Sequence, residues 1–294
     1  MTVARLNGIA VNYEVAGSGD LVVLVMGTGS PGRVWKLHQV PALLAAGYRV
    51  ATYDARGTGS DPVSGIGRYD DHYHSQVPLL TDGGQGTNGV GPMTIEDLVA
   101  DLAALVEHLG GGPARVIGTS LGARVVQELA LARPDLVRQA VAMAAHARLD
   151  PIQRMLTDGQ QGLFDQRVVL PPTYHAAVTA VMNLSPATLR DEDKVQEWLD
   201  VFEFSAAPVS AGERSQLGVS AQLTDRLTAY RRIRVPVLVI GFADDLMIPA
   251  YLSREVAEAI PGARYVEVPD TGHFGYLERP EEINRLLVEF LAAE

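Results

Sequence analysis

The serine of Gly118-Thr119-Ser120-Leu121-Gly122 is the residue whose type and surroundings best suit covalent chemistry. Residues 114–117 before it have the pattern of a buried strand, and from Leu121 the apolar spacing becomes helical. A serine at such a turn occupies strained backbone, which the flanking glycines permit because they lack a Cβ. The pattern predicts an exposed hydroxyl at the start of a helix, where free N–H groups could stabilise an oxyanion.

A serine hydroxyl is a weak nucleophile, so it needs a base and an acid that orients the base. His273 follows the strand predicted at 263–268, and its loop should project over the sheet edge that carries Ser120. Asp244 and Asp245 follow another predicted strand, and either could orient the imidazole. We favour Asp245, which lies four residues before the proline of the next predicted helix. The order Ser, Asp, His along the chain is that of one hydrolase architecture.

An oxyanion hole needs a second donor besides the N–H of Leu121. The strand predicted at 21–25 ends in Met26-Gly27-Thr28-Gly29, and the backbone N–H of Thr28 is our candidate, although an ordinary turn would look the same. The aromatic candidates of the later chain could line a pocket or form a local hydrophobic core. The candidate substrate-contacting residues are Met26, Gly29, Thr119, His146, Trp198, Phe202 and Phe274.

Apolar strands alternate with amphipathic helices along most of the chain, which predicts an α/β fold with a mostly parallel sheet covered on both faces. A hairpin is expected over 3–15, because Asn7-Gly8 is a strong two-residue turn signal. The alternation stops between about 145 and 232, where helical fragments occur at 193–204 and 221–230. We therefore predict a core of 1–145 and 232–294, with a helical cap inserted at 146–231. A second insertion, 64–91, predicts a long loop whose role stays open.

Composition limits the classes of partner and chemistry. The net charge of −11 in 294 residues comes from scattered acidic side chains, which disfavours a nucleic-acid partner. The chain has no cysteine, so a disulfide, a thiol nucleophile and a thiolate-bound metal are excluded. His72 and His74 have no evident further ligand, and we expect neither metal nor cofactor. With no apolar signal region or membrane span, we expect a cytoplasmic protein, monomeric or homodimeric, that acts on a small molecule.

Taken together, the motifs resemble the α/β-hydrolase fold enzymes. The resemblance covers nearly the whole chain and includes the hairpin, an Asp-x-Arg-Gly-x-Gly-Ser element at 54–60, and the Ser120, Asp244-Asp245 and His273 motifs. It implies an eight-stranded sheet, and it is nearest to small actinobacterial serine hydrolases related to aclacinomycin methylesterase and cofactor-free perhydrolases. Met26 stands where the family usually has histidine, and Thr119 where histidine or tryptophan is common. Both differences alter the expected pocket wall.

Three functions are compatible with these residues. The first is hydrolysis of a small ester, thioester or lactone in secondary metabolism such as antibiotic biosynthesis, with Ser120 as nucleophile. The second uses the same side chains to eliminate an acyl group such as acetate, with His273 acting chiefly as a base. The third, more remote, is a non-catalytic ligand receptor on the same fold.

Overall fold

The computed structural model describes residues 2–58, 92–110 and 112–293, so the insertion predicted at 64–91 lies outside the described residues. The described chain forms one eight-stranded sheet in the order β1-β2-β4-β3-β5-β6-β7-β8. The pairs β1–β2 and β2–β4 are antiparallel, and every other pair is parallel, as predicted. The strands are β1 (Thr2–Leu6), β2 (Ile9–Ala16), β3 (Leu21–Val25), β4 (Arg49–Tyr53), β5 (Ala114–Thr119), β6 (Val137–Met143), β7 (Val237–Phe242) and β8 (Arg264–Val268).

The first two strands form the predicted hairpin. Asn7 and Gly8 have φ angles of 45° and 80°, and Leu6 pairs with Ile9. Positive φ at both central residues is the backbone of a type I′ turn, which asparagine and glycine adopt at low cost. This hairpin is therefore predictable from the two turn residues alone.

Helices cover both faces of the sheet. They are α1 (Gln39–Ala45), α2 (Ile95–His108), α3 (Leu121–Ala132), α4 (Pro151–Asp165), α5 (Pro172–Asn183), α6 (Pro186–Leu189), α7 (Glu192–Phe204), α8 (Ala211–Ala221), α9 (Leu227–Tyr230), α10 (Ala250–Ala259), α11 (Gly275–Glu278) and α12 (Pro280–Ala292), with 3-10 turns at Gly32–Leu37 and Pro134–Leu136. No helix among the described residues is both long and apolar enough to cross a membrane.

Successive residues of the central strands face opposite layers of the core. Val23 and Val25 of β3 pack in one cluster with α2 and α3, whereas Val22 and Leu24 pack in another with α1 and α12. This is the alternation expected of a strand whose two faces are both covered. Strands β3, β5 and β7 are therefore buried at every residue, and the loops at their carboxyl ends start from a rigid base.

Between β6 and β7 the chain forms the six helices α4 to α9, and we call residues 146–231 the inserted segment. The helical fragment predicted at 193–204 corresponds to α7, but the one predicted at 221–230 is helical only at its two ends, Ala221 and α9. The chain leaves the helical path after Ala221, because the Arg226 N–H donates to the Ala147 carbonyl and the Arg226 guanidinium pairs with Glu128.

Candidate functional site

Ser120 occupies a sharp turn between β5 and α3. Its backbone has φ 56° and ψ −122°, a strained conformation for a residue with a side chain. A Cβ on Gly118 would lie 2.2 Å from the Gly122 oxygen, and one on Gly122 would lie 2.3 Å from the Val25 oxygen. Both glycines are therefore required for the chain to turn this tightly, and the turn presents the serine side chain at the end of the sheet.

His273 and Asp245 are hydrogen-bonded to each other. His273 Nδ1 lies 2.8 Å from Asp245 Oδ2, and the Asp245 side chain is fully buried. The other carboxylate oxygen accepts the N–H groups of Met247 and Ile248, each at 2.8 Å. Because a carboxylate only accepts, Nδ1 of His273 donates and Nε2 is left free to accept a proton. The structure thus pairs Asp245, and not Asp244, with the histidine.

Ser120 and His273 border one cavity of about 190 Å³, together with Thr28 and Leu121. Within the described part of the chain no hydrogen bond joins the Ser120 hydroxyl to the His273 imidazole. Contacts of this kind commonly tighten only around a bound substrate. A hydroxyl, an imidazole and two backbone positions suited to anion binding therefore border the same cavity.

The loop that contains Thr28 is held between the serine and helix α8. A Cβ on Gly27 would lie 3.1 Å from the Ser120 Cβ, so the loop runs directly beside the serine. Gly29 has φ 69°, and its N–H donates to Gln216 Oε1 at 2.7 Å. The buried Gln216 also donates to the Arg56 carbonyl and to Thr58 Oγ1, each at 2.7 Å. One side chain of the inserted segment therefore ties together two loops of the sheet.

A second carboxylate fixes the loop that carries His273. Glu278 Oε2 accepts the Gly272 N–H at 2.6 Å. Its Oε1 accepts the Ser185 N–H, the Ser185 hydroxyl at 2.8 Å and the Thr188 hydroxyl at 2.6 Å. Ser185 and Thr188 belong to the inserted segment, so Glu278 links this segment to the residue adjacent to His273.

Thr119 and His146 are buried in the cavity wall beside the serine turn. Burial, with smaller contributions from the neighbouring Arg124 and His273, lowers the pKa of His146 to about 3, so its imidazole is neutral at neutral pH. Thr119 Oγ1 and His146 Nδ1 have no hydrogen-bond partner in the described chain. Both side chains contribute polar but uncharged atoms to this wall.

The other predicted substrate-contacting residues divide into two groups. Met26 and Phe274 line the cavity, whereas Gly29, Trp198 and Phe202 do not. Trp198 and Phe202 stack with a ring-centroid distance of 5.4 Å, and Trp198 lies 6.3 Å from Phe274. The interpretation of these two aromatics as pocket-lining residues is corrected, because α7 turns its apolar face towards α5 and Phe274 rather than towards the serine.

Helices α4 and α8 supply cavity residues that the sequence interpretation missed, including Gln153, Thr157, Glu213 and Leu217. A helix-start signal precedes each helix. Asp150 and Gln153 form a capping box with a proline between them, and Ser210 accepts the Glu213 N–H. These signals predict where the helices begin but not which way their side chains point.

Comparison with known proteins identifies the fold family. The family model of the alpha/beta hydrolase fold matches residues 20–280. A protein of Mycobacterium tuberculosis named "Putative non-heme bromoperoxidase BpoC" is 43% identical over 97% of this chain and 98% of its own length. Its crystal structure has a TM-score of 0.83 and covers 96% of this chain and 95% of the other. The chain therefore belongs to the α/β-hydrolase fold family, as the sequence resemblance implied.

Two more distant relatives span a range of named activities. A protein of Azorhizobium caulinodans named "Putative carbamate hydrolase RutD" is 29% identical over 95% of this chain and 93% of its own. The crystal structure of the enol-lactonase from Burkholderia xenovorans has a TM-score of 0.76 at 26% identity, covering 99% of this chain and 100% of the other. The relatives are hydrolase-like, and their names do not agree on one substrate.

Proposed function

We propose that this protein hydrolyses small carboxylic esters, thioesters or lactones through a Ser120–His273–Asp245 triad. The observation that carries the proposal is the His273–Asp245 hydrogen bond at 2.8 Å, on the same cavity as a serine in strained backbone. The buried Asp245 orients the imidazole, and the strained turn exposes the hydroxyl. Relatives named as a lactonase and a carbamate hydrolase support acyl chemistry of this type.

In the proposed mechanism the Ser120 hydroxyl attacks the substrate carbonyl while His273 Nε2 takes its proton. The backbone N–H groups of Leu121 and Thr28 hold the oxyanion of the tetrahedral intermediate, since the first N–H groups of α3 have no acceptor within the helix. His273 then protonates the departing alkoxide or thiolate, which leaves an acyl-serine. Water, deprotonated by His273, releases the carboxylic acid and restores the serine.

We also propose that the inserted segment, residues 146–231, acts as a cap that selects substrates. Side chains of α4 and α8 line the same cavity as Ser120, which supports this role. No step of the scheme requires a metal or a cofactor. The expected place in natural-product metabolism and the alternatives of acyl elimination and ligand reception stay predictions.

Ser120→Ala tests the assignment. With 4-nitrophenyl acetate as substrate, kcat/KM should fall by at least about 10⁴-fold, because loss of the nucleophile leaves only binding and oxyanion stabilisation. A fluorophosphonate probe should label the wild-type protein at Ser120 and should not label the variant. Ser205→Ala, a control at an exposed serine of the inserted segment, should behave as wild type. Undiminished turnover by Ser120→Ala would show that another group carries the reaction.

A second candidate activity is favoured by the 43% identity to the named bromoperoxidase. If hydrogen peroxide instead of water attacks the acyl-serine, the product is a peracid, which oxidises bromide to hypobromous acid and returns the carboxylate. Bromination of a phenol in acetate, peroxide and bromide should then disappear in Ser120→Ala. Bromination that survives in this variant would argue against an acyl-serine route.

A further inference from the structure

Glu213 is an acidic side chain of the cavity that the proposed mechanism does not use. It is the third residue of α8, and its backbone N–H donates to the Ser210 hydroxyl at 3.1 Å. A glutamate at this position often folds back onto the N–H of the capping residue. Here the Ser210 N–H interacts with the carboxylate, which also lies against the oxyanion loop, since a Cβ on Gly29 would be 3.1 Å from Glu213 Cδ and 3.4 Å from Oε1. The carboxyl group borders the same cavity as Ser120 and His273.

The Glu213 carboxylate has no cationic partner among the described residues. The Ser210 backbone N–H interacts with it, but no Lys, Arg or His side chain pairs with it. Burial raises the pKa of this carboxyl group, and the Ser210 N–H only partly offsets the effect. By contrast, Glu128 and Glu255, also partly buried, each form a bidentate pair with an arginine. An unpaired carboxylate in a partly desolvated site is costly unless something else supplies the opposite charge.

The position of Glu213 relative to the nucleophile is set by the oxyanion loop. Gly27 lies beside Ser120 and Gly29 beside Glu213. Two residues of extended chain span at most about 7 Å. The carboxylate therefore lies within the length of a short substituent from a carbonyl bound at Ser120.

We propose that Glu213 is a specificity-determining residue that binds a cationic group, an ammonium, on the substrate. The inference rests on the proposed hydrolase function and names its substrate class as small esters or thioesters with a positive charge near the scissile carbonyl. A cation supplies the opposite charge, whereas a neutral substituent excludes water from the carboxylate without any compensating interaction.

Two matched pairs of thioesters test this. Acetylthiocholine and 3,3-dimethylbutyl thioacetate differ only in a quaternary nitrogen or carbon on the leaving-group side. The S-ethyl thioesters of trimethylammonioacetate and 3,3-dimethylbutyrate make the same exchange on the acyl side. Glu213→Gln keeps the shape and removes the charge, so kcat/KM for the cationic member of at least one pair should fall about tenfold or more. The neutral members should change less than about threefold.

Glu203→Gln is the matched control, because Glu203 is an exposed carboxylate of the inserted segment outside the cavity. It should leave all four substrates unchanged. Tetramethylammonium chloride should inhibit the wild-type protein competitively, whereas neutral neopentyl alcohol should not, a comparison that needs no variant.

The two possible failures are distinguishable. Wild-type protein that hydrolyses none of the thioesters and resists the fluorophosphonate probe overturns the hydrolase function and this inference with it. Turnover of the neutral thioesters, with Glu213→Gln affecting neutral and cationic members equally in both pairs, overturns the role of Glu213 alone.

Discussion

The cavity has a floor built from the sheet and a roof built from the inserted segment, and the two are stabilised differently. The floor residues Ser120 and Asp245 follow fully buried strands, and His273 follows the more exposed edge strand β8. The Asp245 side chain is completely inaccessible. The roof has a small core of its own, with four buried hydrophobic residues. Among the described residues, it also contributes nine of the fourteen exposed large hydrophobic side chains. The proposed reactive groups thus lie at the ends of sheet strands, whereas the less buried inserted segment supplies other side chains of the cavity.

Among the hydrogen bonds that join the two regions, two sets lie beside the loops that carry Thr28 and His273. Gln216 of the roof holds the Gly29 N–H, next to the oxyanion candidate Thr28. Glu278 of the floor receives donors from Ser185 and Thr188 of the roof and from Gly272. The roof therefore has a route to affect chemistry on the floor, although its own helices carry none of the three proposed catalytic side chains.

The largest expected effect belongs to the floor. In Asp245→Asn, the new side-chain oxygen can still accept the Met247 and Ile248 N–H groups, while the amide NH₂ faces His273 Nδ1. Nδ1 must then accept, so Nε2 carries the proton and cannot act as a base. We expect kcat for 4-nitrophenyl acetate to fall about 10⁴-fold, with little change in the free energy of unfolding.

Asp244→Asn is the matched control for this prediction. Asp244 receives no hydrogen bond from His273, and its backbone N–H donates to the Thr271 carbonyl, which the substitution leaves in place. The control should retain kcat within about threefold. Equal losses in the two variants would show that charge near the loop matters, and not the orientation of the imidazole.

The same contrast explains how far the sequence could predict the molecule. Floor residues were predictable because strand-end motifs have short-range causes, such as the glycines around Ser120 and the strand before His273. The preference for Asp245 over Asp244 rested on spacing to Pro249. In the structure it is Asp245 that bonds to His273, and the Met247 and Ile248 N–H groups hold its other oxygen.

Roof residues were harder to predict because their direction depends on packing between distant segments. The sequence signals at Asp150 and Ser210 mark helix starts, yet they do not show that Glu213 also borders the cavity and lies against Gly29. Aromatic residues such as Trp198 and Phe202 are common both in pocket walls and in small hydrophobic cores. Their stacking against Phe274 settles which one they form.

An intermediate effect is expected within the roof. Phe202 is buried between Trp198 and Phe274, so Phe202→Ala should lower the free energy of unfolding by about 3–5 kcal/mol. Denaturant titration followed by Trp198 fluorescence measures this. Phe204→Ala, at a side chain 89% exposed on the same helix, should cost less than about 0.5 kcal/mol. If Phe202→Ala abolished hydrolysis of 4-nitrophenyl acetate in fully folded protein, the assignment of catalysis to the floor residues alone would be wrong.

The smallest expected effect tests whether the two regions act independently. Glu278→Gln retains one acceptor oxygen, so either the Gly272 N–H or the donors of Ser185 and Thr188 lose their partner. A hydrogen bond to a charged group contributes about 1.5–3 kcal/mol, and part of that loss should appear as misplacement of His273. We expect kcat to fall about tenfold, equivalent to about 1.4 kcal/mol in the barrier.

Thr188→Val sharpens this last prediction, because Thr188 lies in the roof and does not line the cavity. It removes one donor to Glu278 and should lower kcat about two- to fivefold, with KM nearly unchanged. Glu281→Gln, at an exposed carboxylate of α12, is the charge-matched control for Glu278→Gln. If Thr188→Val destabilised the protein without any change in kcat or its pH profile, Glu278 would be an anchor of the roof only. The placement of His273 would then depend on the floor alone.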